Sequence, residues 1–251
     1  MTIALATELA KLVHATVVRV TTAAIVLGIS LICSTMLLAV HTSDPQLAAK
    51  LGPLIDPGGW TGYFMVAVQV TGAAGYVGYG VVLSWLFSRE FAEGTISGLF
   101  AIPVSRATIA TAKLIVYLVW GLVTSAALLL ALIVLGFAAG LGSMPTDAVP
   151  AMGRELGLSV FTVVLATPAA WAATLGRSVL AGIGTTIAIL ITSQVSVIAG
   201  AGGWFPFSAP ALWAISTGIT VTPFQLTLVI PVVAAAVALT VQSWQRLQLD
   251  R

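Results

Sequence analysis

Residues 114–140 read Leu114-Ile-Val-Tyr-Leu-Val-Trp-Gly-Leu-Val-Thr-Ser-Ala-Ala-Leu-Leu-Leu-Ala-Leu-Ile-Val-Leu-Gly-Phe-Ala-Ala-Gly140, without a single charge. About 20 apolar residues suffice for a helix to cross the hydrocarbon core of a bilayer. A membrane β-strand is about half that length and alternates apolar with polar residues, and no such alternation is present. Working outward, apolar runs of similar length lie at about 20–40, 62–87, 156–176, 178–199 and 223–243. The expected fold class is therefore all-α integral membrane, with six transmembrane helices.

The composition of the whole chain agrees. Of 251 residues, 59% are hydrophobic and only 7% charged, and the mean hydropathy is +1.09. A water-facing globule carries roughly 25% charged residues. Soluble enzymes, nucleic-acid modules and disordered chains are excluded on this ground. The connections leave no room for a soluble domain, so residues 1–251 read as one transmembrane domain. A single cysteine, Cys33, allows no internal disulfide, and His14 and His41 are too few for a metal cluster. Pro168 and Pro231 predict kinks in the fourth and sixth runs, and Gly176-Arg177-Ser178 predicts a tight turn between the fourth and fifth.

Residues 2–18 precede the first run as an amphipathic helix. Leu5, Leu9, Leu12, Val13 and Val17 share one face, and Thr7, Glu8, Lys11 and His14 the other. This pattern fits a helix lying in the membrane interface. No small-residue cleavage site follows the first apolar run, so the segment is read as mature protein. Basic residues set the orientation. With the N-terminus inside, Lys11, Arg19, Arg89, Arg106, Lys113, Arg177, Arg246 and Arg251 are cytoplasmic, and only Lys50 and Arg154 are outside. Both termini are then cytoplasmic, as an even number of spans requires, and the chain is a multi-pass protein of the cell membrane. Trp60, Trp85, Trp204 and Trp244 fall at span ends, where aromatic belts form.

Several chemistries lack their residues. The four aspartates lie in connections or the tail, and Glu8, Glu90, Glu93 and Glu155 are placed at interfaces or outside the membrane. Such a distribution supplies no buried acid for ion coupling. There is no zinc-protease helix, no nucleophile elbow and no P-loop; each of the three lysines follows an alanine. Tyr76-Val-Gly-Tyr-Gly80 is similar to a potassium filter, but seven further membrane-compatible residues follow it, through Phe87. Small residues that let helices approach closely explain it better.

The connection after the second run is the most informative. It reads Ser88-Arg-Glu-Phe-Ala-Glu-Gly-Thr-Ile-Ser-Gly-Leu-Phe-Ala-Ile-Pro-Val-Ser-Arg-Ala-Thr-Ile-Ala-Thr-Ala-Lys113. On a helical wheel Phe91, Thr95, Ile96 and Leu99 share one face, and Glu90, Glu93, Gly94 and Ser97 the other. The reading is a short surface helix ending near Pro103, its carboxylates solvated. Arg89-Glu90, Glu93-Gly94-Thr95, Leu99, Pro103, Ser105-Arg106 and Lys113 together resemble the signature that follows the second span of ABC-2 type transporter permeases, the membrane subunits of bacterial ABC exporters. The resemblance covers the whole chain in plan and residues 88–113 in motif.

That resemblance implies a pair of separate ABC ATPase subunits and a second permease chain, the same or related, in membrane lipid and without nucleic acid. It implies no cofactor on this chain, since ATP and magnesium belong to the ATPase. Glu90, Phe91 and Glu93 would sit on a coupling helix entering the ATPase. Arg106 and Lys113 would anchor the next span at the headgroups, and Arg89 fits either role. The implied function is efflux of an amphipathic or hydrophobic solute such as an antibiotic, peptide or lipid. A non-transporting assembly subunit and a channel or secondary carrier are the alternatives.

Two further features belong to the far side. Residues 200–218 are too apolar for a free loop and read as an element dipping back into the membrane, broken by Pro206 and Pro210. Irregular backbone is tolerated there only against protein or a cavity. The family places re-entrant outer helices at this point, which makes Trp204, Phe205, Phe207 and Trp213 candidates for an outer gate. Gln69 and Gln194 are the only glutamines within the first five runs. Each lies roughly 8–10 Å below the outer surface at 1.5 Å per residue, so they are candidates to line a solute path. Small-residue seams occur at Ala67, Thr71 and Gly75 and at Ser178, Gly182 and Thr186. They read as helix packing or as a subunit interface.

Overall fold

The computed structural model describes residues 1–40, 58–100 and 103–248. Most of the connection 41–61, with Lys50, lies outside the described residues, as do 101–102 and the terminal Arg251. Among the described residues, six helices are long and apolar enough to cross a membrane. In chain order the elements are α1 (Thr2–His14), α2 (Thr16–Val40), α3 (Gly59–Ala92), α4 (Ile96–Phe100), α5 (Arg106–Ala138), α6 (Thr146–Gly176), α7 (Val179–Ile198), α8 (Ala209–Ile215) and α9 (Pro223–Gln245). The six spans are α2, α3, α5, α6, α7 and α9. The fold is all-α, a multi-pass membrane architecture.

The second and fourth spans, α3 and α6, form the centre. More than half of the most apolar stretch of each is buried, against a third or less in the others. Their first halves pack on each other and on α8, and their second halves hold α7. The span α5 lies against α1, α2, α6 and α9. Close approach rests on small residues. A Cβ at Gly121 would come within 2.5 Å of Val163, and one at Gly78 within 2.9 Å of Ile25. A Cβ at Gly80 would collide with the Thr186 side chain, and one at Gly182 with Ser84 and, at 2.9 Å, the Ala169 carbonyl oxygen. The seam on the fifth span is therefore internal packing against the second and fourth, which takes Gly182 and Thr186 out of any interface between subunits.

Helix breaks fall inside the membrane, and side chains repair them. The fourth span breaks at Ala166 and Thr167, just before Pro168. The break frees carbonyls that hydrocarbon cannot solvate. The Tyr117 hydroxyl donates to the Val163 carbonyl (2.9 Å), the Thr167 hydroxyl to Val164 (2.8 Å) and the Tyr76 hydroxyl to Leu165 (3.3 Å). One donor comes from each of three helices, so the kink is a shared feature of the core. The sixth span is interrupted at Leu228, three residues ahead of Pro231. Single π-turns at Ala24–Gly28 and Thr71–Gly75 widen the first and second spans where the two meet.

Several boundaries differ from the hydropathy reading. The amphipathic helix ends at His14, Ala15 is extended, and Val17 belongs to the first span. The second span continues to Ala92 and the third begins at Arg106, so the surface segment between them shrinks to residues 93–105. The cause is charge neutralisation, described below. The second span then stops on a left-handed Gly94 (φ +68°). Gly94 N–H donates to Phe91 and Thr95 N–H to Glu90, the double bond that closes a helix C-terminus. The third span starts on Ser105, whose hydroxyl accepts from Thr108 N–H, a side-chain cap worth about 1 kcal/mol. Residues 76–80 are regular helix, so the filter-like stretch is a packing surface.

Candidate functional site

At the end of the bundle where α1, the end of α3, the start of α5 and the end of α9 meet, four charged side chains pair with one another, leaving Glu90 Oε2 without a partner among the described residues. Lys113 is fully buried, and its Nζ donates to Glu90 Oε1 (2.7 Å), Glu8 Oε2 (2.9 Å) and the Leu86 carbonyl (3.0 Å). Lys11 Nζ donates to Glu8 Oε1 (2.6 Å) and Glu90 Oε1 (3.2 Å). Two carboxylates and two ammonium groups cancel, which is how charges are carried into a protein interior. Burial pulls the Lys11 ammonium down, but the hydrogen bond and charge of Glu8, and those of Glu90, outweigh it and hold it above its ordinary value.

The set corrects three expectations. Glu90 is not on a solvated face; it is 2% exposed and belongs to the last turns of the second span. Lys113 does not reach the headgroups; it lies 5.7 Å from the ring of the buried Trp244. The face of α1 that meets the protein carries Ala4, Glu8 and Leu12, while Ile3, Leu9 and Val13 are exposed. Of the polar face only Glu8 is fully buried, where its partner charge Lys113 is, while Thr7 and His14 stay exposed.

Around this set the two ends of the chain are tied in. Phe87 and Phe91 meet Trp244 edge-on, at 5.9 and 6.5 Å between centroids. The Arg177 guanidinium lies 5.8 Å over Phe91 and donates to the Gln248 carbonyl (2.7 Å). Arg106 donates to the Leu247 carbonyl. Of the candidate coupling residues, only Arg89 and Glu93 pair at the surface, at 3.1 Å, with Arg89 stacked on Trp85 at 4.8 Å. Glu93 is exposed and Phe91 half-buried. The motif residues thus divide by task. Gly94 and Ser105 shape the two helix ends, Glu90 and Lys113 lock them together, and Glu93 faces outward.

Toward the opposite end, a cavity of about 330 Å³ lies between the second, fourth and fifth spans and the segment after the fifth. Gln69 and Gln194 both line it, with Tyr76, Thr162, Ser193 and Phe207. The structure thus brings together the two amides that sequence spacing placed at one depth. Among the described residues the Gln69 side chain makes one long contact, from Nε2 to the Met65 carbonyl at 3.5 Å, and the Gln194 side chain, within the fifth span, has no hydrogen bond. Helix α8 covers the cavity through Pro210, Ala211, Leu212 and Ile215. Pro210 occupies the first turn of this helix and starts it, where a break had been expected.

The four aromatic gate candidates separate. Phe207 lines the cavity and Phe205 lies 5.5 Å from it, ring to ring. Trp213 turns into the core against Phe161 (6.3 Å) and Gly157. Trp204 is 63% exposed, beside Phe224 (6.5 Å), and so finds little shelter among the described residues. The turn from Ala201 to Trp204 carries its side chain outward.

One residue was missed. Glu155, expected at an interface or outside the membrane, is buried within the fourth span, accepting from Thr71 Oγ1 at 2.6 Å. Its Oε2 has no partner among the described residues. The fourth span begins at Thr146, ten residues before its apolar run, because Glu155 finds a donor at the π-turn of the second span. The only signal in the sequence was the apolar run that follows it.

Comparisons with known proteins come from two directions. Residues 4–193 match a family model described as ABC-2 family transporter protein. A stretch of 42 residues is 50% identical to the bacitracin transport permease protein BCRB of Bacillus licheniformis, covering 17% of this chain and 20% of that protein's length. No solved structure matches the chain. With well over half of its length inside the family match, the chain belongs to the ABC-2 family of transporter proteins.

Proposed function

We propose that this chain is the solute-translocating subunit of an ATP-driven exporter in the cell membrane. It works with a pair of separate ABC ATPase subunits and a second permease chain, with both termini in the cytoplasm. The carrying observation is the cavity lined by two sparsely bonded amides, Gln69 and Gln194. An amide in hydrocarbon without a partner costs several kcal/mol. A site that keeps two of them available suits a solute with both apolar and hydrogen-bonding parts. At about 330 Å³ the cavity is at the small end of ligand sites, so one chain holds part of a larger solute and the second chain completes the path. The relative's name favours bacitracin or a similar solute as cargo. The segment with α8 and Phe207 closes the outer side.

At the other end, α1 lies in the inner interface with Ile3, Leu9 and Val13 in lipid. The segment 93–105 meets the ATPase, with Glu93 as the contact and the buried quartet as the rigid mount behind it. The test is co-purification of the chain with its ATPase, followed by ATP hydrolysis in proteoliposomes with bacitracin as probe. Stimulation in the complex, lost in Glu93→Ala while the complex remains intact in membranes, supports the reading. An ATPase that never associates with the chain, or stimulation that does not require it, overturns the reading. Glu90→Ala is the wrong probe, because it also breaks the buried quartet.

A further inference from the structure

A second cavity, of about 470 Å³, opens at the charged end between the fourth and sixth spans. Its charged residues are Arg177 and Arg246, the first residues after α6 and α9 respectively. Both therefore stand at the level where the spans end. Trp171, Leu175 and Leu239, from within the two spans, line the same cavity, and both leucines are exposed. Gln242 adds a polar group near the boundary, and among the described residues no acidic side chain lines the cavity. Arg246 is exposed and makes no ion pair among the described residues. The hydrogen bond from Arg177 to the Gln248 carbonyl ties this site to the tail.

We propose that this cavity binds an anionic phospholipid, its phosphate on Arg246 and Arg177 and one acyl chain along Leu175 and Leu239. A guanidinium matches two phosphate oxygens at once, and basic pockets between spans recruit acidic headgroups. The apolar wall selects among the phosphate carriers. A free phosphate has no use for leucines inside the spans, and an acidic segment of a partner protein would have to enter the bilayer to reach them. The site is separate from the solute cavity and does not depend on what that cavity carries.

The experiment is native mass spectrometry of the full chain in non-ionic detergent, titrated with phosphatidylglycerol or phosphatidylcholine. The wild type should retain phosphatidylglycerol preferentially. Arg246→Gln should weaken that retention roughly fivefold, the scale of one basic residue at an anionic headgroup, with Arg246→Lys restoring part of it. Leu239→Ala should weaken it as well, from the acyl side and with no charge removed. Equal retention of the two lipids overturns the proposal, as does an Arg246→Gln chain that elutes as folded and binds as the wild type does. Displacement by inorganic phosphate, with Leu239→Ala silent, would mean a free-phosphate site. Displacement by the added ATPase would mean a protein contact. Either result also overturns it.

Discussion

The charged end and the amide cavity treat polar groups in opposite ways. Lys113 has three hydrogen-bond acceptors and no exposure. Gln69 has one acceptor at 3.5 Å and is exposed. The first region joins residues up to 105 positions apart in sequence, through the pair of Lys113 with Glu8. The second leaves its polar atoms sparsely bonded. A buried network with every cation paired holds helices in one arrangement, as a mount for an external motor requires. An underused pair of amides holds nothing and suits a passing guest. The two regions share the second span, which carries Glu90 at one end and Gln69 toward the other.

The largest effect is expected at the mount. Lys113→Met leaves Glu8 and Glu90 buried with only the half-exposed Lys11 between them. Breaking a buried ion pair from one side costs about 3–5 kcal/mol, so the variant should lose folded yield and unfold at clearly lower temperature in detergent. Adding Glu8→Gln and Glu90→Gln removes the stranded charges and should recover much of that loss. A single Lys113→Met with wild-type thermal stability would mean that the quartet is not a mount at all.

An intermediate effect is expected where the two regions are joined. Gly182→Leu drives a side chain into Ser84 and the Ala169 carbonyl. Overpacking of this kind costs about 1–3 kcal/mol, and here it wedges the fifth span away from the second. Size-exclusion profiles should show a folded but less stable chain, with altered solute response because Gln194 rides on the same helix. A variant with unchanged stability would mean that the seam is loose, and the contrast between a rigid lower half and an accessible upper half would weaken.

Much of the fold was legible because hydropathy acts locally. Each span announces itself by a long apolar run, the turn at Arg177 by its three residues, and the fourth-span kink by Pro168. The depth match of Gln69 and Gln194 followed from counting residues along two helices. The quartet was not legible, for a reason that is also local. A charge near the end of an apolar run looks solvated until its partner is known, and the partners of Lys113 lie 23 and 105 residues away. Glu155 escaped in the same way, since its donor Thr71 sits 84 residues earlier. One surface helix ending near Pro103 is not what forms, because Gly94 divides the stretch between the second span and a short separate helix.

The smallest effect on stability belongs to the cavity, and it carries the central claim. Gln69→Leu and Gln194→Leu remove amides with little bonding to lose, about 0.6 kcal/mol at the average for interhelical hydrogen bonds in membranes. The direct measurement is the solute profile of export by each variant in proteoliposomes with the ATPase, read beside basal ATP hydrolysis and thermal stability. The account predicts an altered set of exported solutes, with hydrolysis and stability near those of the wild type. Loss of stability with an unchanged solute profile would contradict it, and would make the glutamines a bond between helices with the path elsewhere.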